Sequence, residues 1–291
     1  MKVNWSVMIL LLFAFSFAVA QEGENGNNEA KKLYNEGISN LKTGNTEAAL
    51  KSFNAAIATD PNLAVAYYAL GITYKRKRDY VSAEKNYQLA IDKDPQYEKA
   101  YTALGLLQLQ LTKYVEAINT FQAALSINPN EVKALTGIGD AYYKQRKYET
   151  ALGYYETAVQ SDAAYAKAWD GLGTTLQQLN RHADAVDALS NALENEKKAS
   201  EKDDTYLRLG NSYKELNNYN KAEESYKNCI NATRNSTIRA AANFGLGEIY
   251  KNRGQNQTAL AYFEKASRDR NWQQSALYEI DMIKNADKYT H

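Results

Sequence analysis

The sequence predicts an all-α protein built from repeated pairs of amphipathic helices, and three observations lead to this prediction. In residues 64–97, apolar residues fall three or four apart in two blocks, which is the spacing of helices and not of strands. The same arrangement recurs along the chain from Ala30. Only 3 prolines and 15 glycines occur in 291 residues, and the prolines share one place in the repeat. We therefore expect an array of similar helical units.

Four positions of the repeating unit, numbered from its first residue, carry the pattern. Position 8 is a glycine, and successive glycines are 34 residues apart four times and then 37 residues apart twice: Gly37, Gly71, Gly105, Gly139, Gly173, Gly210 and Gly247. Position 20 is always an alanine: Ala49, Ala83, Ala117, Ala151, Ala185, Ala222 and Ala259. Position 24 is always large and apolar: Phe53, Tyr87, Phe121, Tyr155, Leu189, Tyr226 and Phe263. Position 32 holds every proline of the chain: Pro61, Pro95 and Pro129.

Each of these residue types has a physical reason. Glycine inside a helix costs up to about 1 kcal/mol relative to alanine, so its recurrence at one position implies a packing gain. We expect position 8 of the first helix of each unit (helix A) to face the small position 20 of the second (helix B), so that the two axes approach closely. The large residue at position 24 would fill the space beside this contact. Units 4 to 7 lack the proline, and there helix B is expected to run on.

This set of residues at these spacings resembles the tetratricopeptide repeat (TPR), a helix–turn–helix unit of 34 residues, over about residues 30–271. The resemblance implies a right-handed α-solenoid of seven TPR units followed by a capping helix. The predicted units are 30–63, 64–97, 98–131, 132–165, 166–202, 203–239 and 240–271, and the capping helix and tail are 272–291. The extra residues of the two longer spacings lie in Glu194–Asp204 and Asn231–Arg239, as a longer loop or as an extra helical turn.

The N-terminus has the features of an export signal. Lys2 is followed by an apolar run, and Ala18-Val19-Ala20 fits a cleavage site. We expect residues 1–20 to be a signal peptide cleaved after Ala20, which implies a periplasmic or secreted protein. An uncleaved membrane anchor is the alternative, although the run is shorter than the roughly 20 residues that span a bilayer. Residues 21–29 are polar or glycine and are expected to form a disordered leader.

The composition gives no support for catalysis. The net charge of +1 provides no general attraction to nucleic acid or to anionic membranes. The single cysteine, Cys229, cannot form an intramolecular disulfide, and the two histidines, His182 and His291, have no further ligands at metal spacing. We predict no catalytic, cofactor-binding or metal-binding residues, no cofactor, and therefore no enzyme.

The resemblance places candidate partner-binding residues on helix A, whose positions 2, 5, 6, 9, 12 and 13 line the concave face of TPR arrays. The predicted partner-binding residues are Lys31, Tyr34, Ile38, Tyr68, Ile72, Lys75, Arg76, Lys99, Leu106, Lys133 and Lys167. Exposed tyrosines and isoleucines suggest binding, whereas partial cover by neighbouring units is the alternative. The lysines are either a ladder for carboxylates or a means of solubility. Small residues at position 6, such as Gly171 and Gly245, would leave room for a ligand, and Asp140, Asp170 and Glu248 make the C-terminal half more acidic.

The predicted function is a non-catalytic protein–protein interaction scaffold of the cell envelope. It would bind an extended peptide or protein segment with apolar and acidic residues on the concave TPR surface. Nucleic acid is not an expected partner, and no stable membrane insertion is expected after signal cleavage. Two alternatives stay open, namely a structural module that forms homo-oligomers and an accessory protein that binds exported polysaccharide.

Overall fold

The computed structural model describes residues 27–198 and 201–285, in which fifteen α-helices and no strands occur. The predicted signal peptide and most of the predicted leader lie outside these ranges. The chain forms two compact units, Met1–Pro129 and Asn130–His291. None of the described helices combines the length and the apolar character needed to cross a membrane.

The described part of the N-terminal unit, residues 27–129, contains six helices that pack in consecutive pairs. They are α1 (27–42), α2 (Thr46–Thr59), α3 (Ala64–Arg76), α4 (Tyr80–Lys93), α5 (Glu98–Gln110) and α6 (Tyr114–Ile127). Because α1 includes residues 27–29, the prediction of a disordered leader does not hold for these three residues. The Glu29 carboxylate lies 3.6 Å from the Lys32 ammonium on the next turn. A carboxylate in the first turn of a helix is also favoured by the helix dipole.

The described residues of the C-terminal unit, 130–198 and 201–285, form four further helix pairs and a final single helix. They are α7 (Val132–Lys144), α8 (Tyr148–Ser161), α9 (Ala166–Gln178), α10 (His182–Asn195), α11 (Asp203–Glu215), α12 (Tyr219–Ala232), α13 (Ser236–Asn252), α14 (Asn256–Ala266) and α15 (Gln273–Lys284). Odd-numbered helices up to α13 are helix A of a pair, and even-numbered helices are helix B. The pattern of helix–turn–helix pairs confirms the predicted α-solenoid fold class.

The two longer spacings are accommodated in different ways. Between Asn195 and Asp203 the described residues 196–198 and 201–202 are not α-helical, so the first insertion lies in the connection between α10 and α11. The second insertion lengthens helix A itself, because α13 has 17 residues whereas α11 has 13. The Asn235 side chain caps this extension by accepting hydrogen bonds from the Thr237 and Ile238 backbone N–H groups.

Contact between helix A and helix B differs from the prediction in one respect. The atoms nearest to a Cβ built on the glycine at position 8 belong to the large residue at position 24, whereas the prediction placed the alanine at position 20 there. A Cβ atom added to Gly105 would lie 2.6 Å from the Phe121 ring, and one added to Gly247 would lie 2.6 Å from Phe263. Carbon atoms in contact stand about 3.5–4.0 Å apart, so only glycine allows the ring to lie here. Both rings are fully buried.

Glycines at position 6 likewise leave space for a large ring, which here belongs to helix B of the preceding repeat. A Cβ atom on Gly245 would lie 2.5 Å from the Tyr226 ring, and one on Gly171 would overlap the Tyr155 ring. The space that the sequence suggested for a ligand is therefore filled by tyrosine at these two positions. Each of these rings lies between a position-8 glycine of its own unit and a position-6 glycine of the next, which joins consecutive units.

The turn between helix A and helix B requires a left-handed residue at position 15. Gly44 and Gly254 have φ values of 83° and 72°, and Arg78, Thr112, Arg146, Asn180 and Asn217 have φ values between 56° and 62°. The sequence predicts this conformation where glycine or asparagine occurs. Arginine and threonine adopt it as well, because the next residue must start helix B at the same place in every unit.

Helix B does not run on in the units that lack the proline, so this prediction was wrong. α8, which lacks the proline, has 14 residues like α2 and α4. An aspartate at position 31 stops each of these three helices. The carboxylates of Asp60, Asp94 and Asp162 each accept a hydrogen bond from the backbone N–H two residues later, at 2.9–3.0 Å.

The final helix, α15, packs on the last pair through one side. Ala276 is fully buried, Ile280 and Ile283 contact the core around Phe263, and the Trp272 ring centroid lies 5.0 Å from that of Phe244. Trp272 is thus a packing residue, as the sequence indicates.

Two substitutions to alanine test the contact between glycine and ring. Gly171→Ala should lower the free energy of unfolding by about 1–3 kcal/mol, because the added methyl group overlaps the buried Tyr155 ring. Gly153→Ala is the matched control. Gly153 is exposed inside α8 with no atom near its Cβ position, so alanine there should raise stability by about 0.5–1 kcal/mol. Urea unfolding of both variants measures this, and equal effects would contradict the packing assignment.

Candidate functional site

In the N-terminal unit, the packing rings of the core also hold the predicted groove tyrosines. Tyr34 at position 5 of α1 tilts against Phe53, with ring centroids 5.9 Å apart at 44°. Tyr68 at position 5 of α3 makes the same contact with Tyr87, again at 5.9 Å and 44°. Because Phe53 and Tyr87 are fixed against glycine, the two tyrosines have defined orientations on the surface. They are half-buried, which leaves part of each ring accessible.

A third tyrosine, which was not among the predicted partner-binding residues, belongs to the same surface. Tyr97 precedes α5, and its ring meets Tyr68 edge to face with centroids 5.2 Å apart. Burial raises the pKa of Tyr97, and the nearby Tyr68 and Tyr34 raise it further, so the hydroxyl is protonated at neutral pH. No hydrogen bond joins any of the three hydroxyls to a described residue. The signal in the sequence was the aromatic residue at position 34, immediately before helix A.

Aliphatic side chains at position 9 continue the same surface. Ile38, Ile72 and Leu106 are each half-buried on α1, α3 and α5, and Ile38 and Ile72 also contact the core beneath. We call Tyr34, Ile38, Tyr68, Ile72, Tyr97 and Leu106 together the aromatic face. It combines rigid rings, aliphatic groups and free hydroxyls on one side of the helices A of the N-terminal unit.

Cations on the helices A of the N-terminal unit are of two kinds. Lys31 and Lys99 are exposed and Lys75 is half-buried, and none of them forms an ion pair with a described residue. Arg76 has a structural partner, because its guanidinium donates a hydrogen bond of 2.9 Å to the Leu41 carbonyl oxygen at the end of α1. Arg76 was predicted to bind a partner, but this contact assigns it to capping the neighbouring helix.

In the C-terminal unit, the corresponding helices A are joined by ion pairs. Lys167 on α9 donates to the Asp140 carboxylate on α7 at 2.7 Å, and the Tyr155 hydroxyl donates to the other oxygen of Asp140 at 2.7 Å. Burial alone would lower the pKa of Lys167, but the Asp140 carboxylate raises it above its usual value. Lys167 was predicted to bind a partner, yet its charge is already neutralised. Lys133 is exposed and pairs with no described residue.

Further ion pairs neutralise the other carboxylates that the sequence placed on this side. One guanidinium nitrogen of Arg208, Nη1, donates to both carboxylate oxygens of Asp170 at 2.9 and 3.0 Å, and Nη2 donates to Asp204 at 3.2 Å. Lys214 pairs with Glu248 at 2.8 Å. The acidic character expected for the C-terminal half is therefore balanced within the protein, and these side chains are occupied with one another.

Comparison with known proteins identifies the repeats. Sequence models described as tetratricopeptide repeat or TPR repeat match residues 41–77, 68–132, 102–168, 136–201, 203–236 and 240–268, which together cover most of the chain. The chain belongs to the tetratricopeptide repeat family. No protein of curated function matches it.

Solved structures with the same fold are distant in sequence. The C-terminal part of a TPR protein from Cytophaga hutchinsonii has a TM-score of 0.65 at 16% identity, and the match covers 85% of this chain and 99% of that one. PilF of Pseudomonas aeruginosa has a TM-score of 0.63 at 19% identity, covering 74% and 97%. PilW, described as a type IV pilus biogenesis factor, has a TM-score of 0.61 at 18% identity, covering 69% and 92%. At these identities the likeness concerns the fold alone.

Potential reactive groups in the TPR array are placed for packing. Cys229 is fully buried at position 27 of its unit, and burial raises the pKa of its thiol to about 12. His182 is the first residue of α10, and its Nδ1 atom is buried without a hydrogen-bond partner among the described residues. Within residues 27–198 and 201–285, no group of three or more His, Cys, Asp or Glu residues could hold a metal ion.

One carboxylate joins two consecutive TPR units of the C-terminal half. Glu223 on α12 accepts hydrogen bonds from Lys227 on its own helix, from Tyr250 on α13 and from Arg253 immediately after α13. Burial alone would raise the pKa of Glu223, but the three hydrogen bonds outweigh this effect and lower the pKa to about 2. The ionised carboxylate is therefore favoured strongly in the folded protein.

This contact predicts a pH dependence of stability. The folded pKa of Glu223 lies below its ordinary value of 4.5, so its contribution is complete above about pH 4.5 and is lost as the pH falls toward about 2. Glu223→Gln should remove this contribution, so the melting temperature of the variant should fall less on acidification than that of the wild type. Circular dichroism melts across this range measure it. Glu224→Gln, at an exposed neighbouring carboxylate, should behave as wild type, and identical acid sensitivity of Glu223→Gln would refute the assignment.

Proposed function

We propose that the protein is a non-catalytic interaction scaffold that binds an extended peptide segment with apolar and acidic residues on the aromatic face of its N-terminal unit. The observation that carries this proposal is the contrast between the two units. On the helices A of the C-terminal unit, Lys167, Arg208 and Lys214 each pair with a carboxylate, and Lys133 is the predicted cation that does not. In the N-terminal unit, neither Lys31 nor Lys99 beside the aromatic face has a carboxylate partner among the described residues. TPR proteins in general bind proteins or peptides.

Chemistry of the aromatic face suits an extended peptide. Tyrosine offers a rigid apolar ring at low cost in conformational entropy together with a hydroxyl that donates and accepts hydrogen bonds. The rings of Tyr34 and Tyr68 are held by the core beneath, so little order is lost when a ligand covers them. Apolar side chains of the peptide would pack on these rings, backbone carbonyls would accept from the hydroxyls, and carboxylates would pair with Lys31 and Lys99.

Export to the cell envelope forms the second part of the proposal. The apolar N-terminal run and the Ala18-Val19-Ala20 pattern support cleavage after Ala20 and a periplasmic or secreted location. PilW, with which this chain shares a fold, is described as a pilus biogenesis factor. An assembly role for this protein, in which it holds a segment of another envelope protein, is consistent with that likeness.

Self-assembly is a second candidate, and a specific observation favours it. On the last helix, Leu277 and Tyr278 are 51% and 61% exposed, which leaves two large apolar side chains on the outer side of α15. A second copy of the chain could cover them. Light scattering of the purified chain and of a Leu277→Ser/Tyr278→Ser variant separates this function from peptide binding, because only an oligomer formed through α15 would dissociate in the variant.

Peptide binding is tested with a fluorescein-labelled peptide in which leucine and aspartate alternate. The double variant Tyr68→Ala/Lys99→Glu should weaken binding by about tenfold or more, because it removes a central ring and reverses a neighbouring charge. Fluorescence anisotropy measures the dissociation constant. A matching peptide of leucine and lysine should bind more weakly than the acidic peptide, because the unpaired cations of the N-terminal unit would repel it.

The control variant is Val81→Ala/Lys85→Glu, which makes a similar change on helix B of the same unit. Val81 is 81% exposed on α4 and Lys85 is exposed on the same helix, so the variant should fold and bind the peptide as the wild type does. Equal binding by the Tyr68→Ala/Lys99→Glu variant would remove the aromatic face as the site. Binding of neutral oligosaccharides in place of peptides would favour the polysaccharide alternative.

A further inference from the structure

A pocket of about 730 Å³ lies in the C-terminal unit, in a place that the proposed function does not use. Its walls come from α12, from the N-terminal half of α13, from α14 and from the turn that follows α14. Pockets of about 300–1,000 Å³ are typical of sites for small organic ligands.

The rim of this pocket carries an excess of positive charge. Five cations and one carboxylate line it, and the cations are Lys227, Arg239, Lys265, Arg268 and Arg270. Only Lys227 forms an ion pair, with Glu223. The three arginines have no ion-pair partner among the described residues, although Arg239 also donates a hydrogen bond to the Thr233 carbonyl oxygen. This arrangement differs from the helices A of the same unit, where Lys167, Arg208 and Lys214 are all paired.

The one carboxylate of the lining does not neutralise these arginines. Asp269 accepts hydrogen bonds from the Ser236 and Thr237 hydroxyls at 3.2 and 3.0 Å and from the Asn271 backbone N–H at 3.0 Å. All three donors are neutral groups. Asp269 therefore fixes the turn against the start of α13, and Arg268 and Arg270 extend from either side of it without a counter-ion.

The base of the pocket is apolar and contains an oriented ring. Leu246 is fully buried and Ala240 is 3% exposed. The Tyr262 ring stacks on the Tyr250 ring, with centroids 5.4 Å apart at an angle of 3°, and the Lys265 ammonium lies 4.6 Å from the Tyr262 centroid. Since Tyr262 is held on one side by this stacking, a ligand in the pocket would meet a surface that is already ordered.

We propose that this pocket binds a small organic anion, namely a carboxylate or phosphate group attached to an aromatic or aliphatic body. The planar guanidinium groups of Arg239, Arg268 and Arg270 match the oxygens of such a group and bind them through two parallel hydrogen bonds. The apolar body packs against Ile230 and the Tyr262 ring, which are the partly exposed apolar side chains of the lining. The site lies in a different unit from the aromatic face and does not depend on peptide binding there.

Four probes test this assignment by isothermal titration calorimetry on the full mature chain. Phenyl phosphate and phenylacetate combine an anion with a ring and should bind, with an affinity that falls as salt is raised. Inorganic phosphate lacks the apolar body and benzyl alcohol lacks the charge, so both should bind more weakly. Equal heats for benzyl alcohol and phenyl phosphate, or no binding of either anion, would overturn the proposal.

Paired variants locate the binding. Arg268→Glu/Arg270→Glu should weaken phenyl phosphate binding by about tenfold or more, because hydrogen bonds to charged groups are among the strongest in proteins. Lys144→Glu/Lys197→Glu makes the same change of charge at exposed residues outside the pocket and should bind as the wild type does. The Tyr68→Ala/Lys99→Glu variant of the aromatic face should also bind fully, so failure of the peptide proposal and failure of this one can be distinguished.

Folding of the variants is checked by circular dichroism. If Arg268→Glu/Arg270→Glu does not fold, Tyr262→Ser serves in its place. This variant should reduce the preference for phenyl phosphate over inorganic phosphate and leave binding of inorganic phosphate unchanged. Unchanged preference for phenyl phosphate in Tyr262→Ser, or unchanged affinity in a folded arginine double variant, would show that the anion binds elsewhere.

Discussion

The contact between a position-24 side chain and a position-8 glycine is the interaction on which the rest of the structure depends. In every pair from α1–α2 to α13–α14 the glycine leaves space for one large residue of helix B. Most of these residues are rings, and the ring is buried so completely that any added methyl group must displace it. The contact fixes helix A against helix B and thereby determines which side of helix A is left for other partners.

The same contact leads to two different surfaces. In the N-terminal unit the rings of Phe53 and Tyr87 support Tyr34 and Tyr68, which produces an aromatic face with free hydroxyls. In the C-terminal unit the Tyr155 ring packs against its position-8 glycine in the same way. Its hydroxyl donates a hydrogen bond to the Asp140 carboxylate, to which Lys167 also donates. The Tyr155 hydroxyl is therefore part of the contact between Asp140 and Lys167. Polar side chains thus hold consecutive repeats together in the C-terminal unit. The N-terminal unit leaves such side chains available.

The sequence predicted the repeats well because each position of the unit is repeated seven times. The helix pairs and the left-handed turn at Gly44 and Gly254 follow from residue types at fixed spacing. Partners of the glycines were harder to predict, since a small residue fits equally well against alanine or beneath a ring. The partners of Lys167 and Arg76 could not be predicted either. The Asp140 carboxylate is 27 residues away from Lys167 in the sequence, and the Leu41 carbonyl is 35 residues away from Arg76. Periodicity indicates which side of a helix a cation occupies and not which group it meets.

Hydroxyl-radical footprinting of tyrosine side chains tests whether the N-terminal unit alone presents an open binding surface on its helices A. The purified full-length chain is oxidised with and without a saturating peptide of alternating leucine and aspartate. The account predicts lower oxidation of Tyr34, Tyr68 and Tyr97 in the presence of the peptide, with no change at Tyr142 and Tyr154, the stacked pair of the C-terminal unit. Protection confined to the C-terminal unit, or unchanged oxidation of Tyr34 and Tyr68 at saturation, would contradict it.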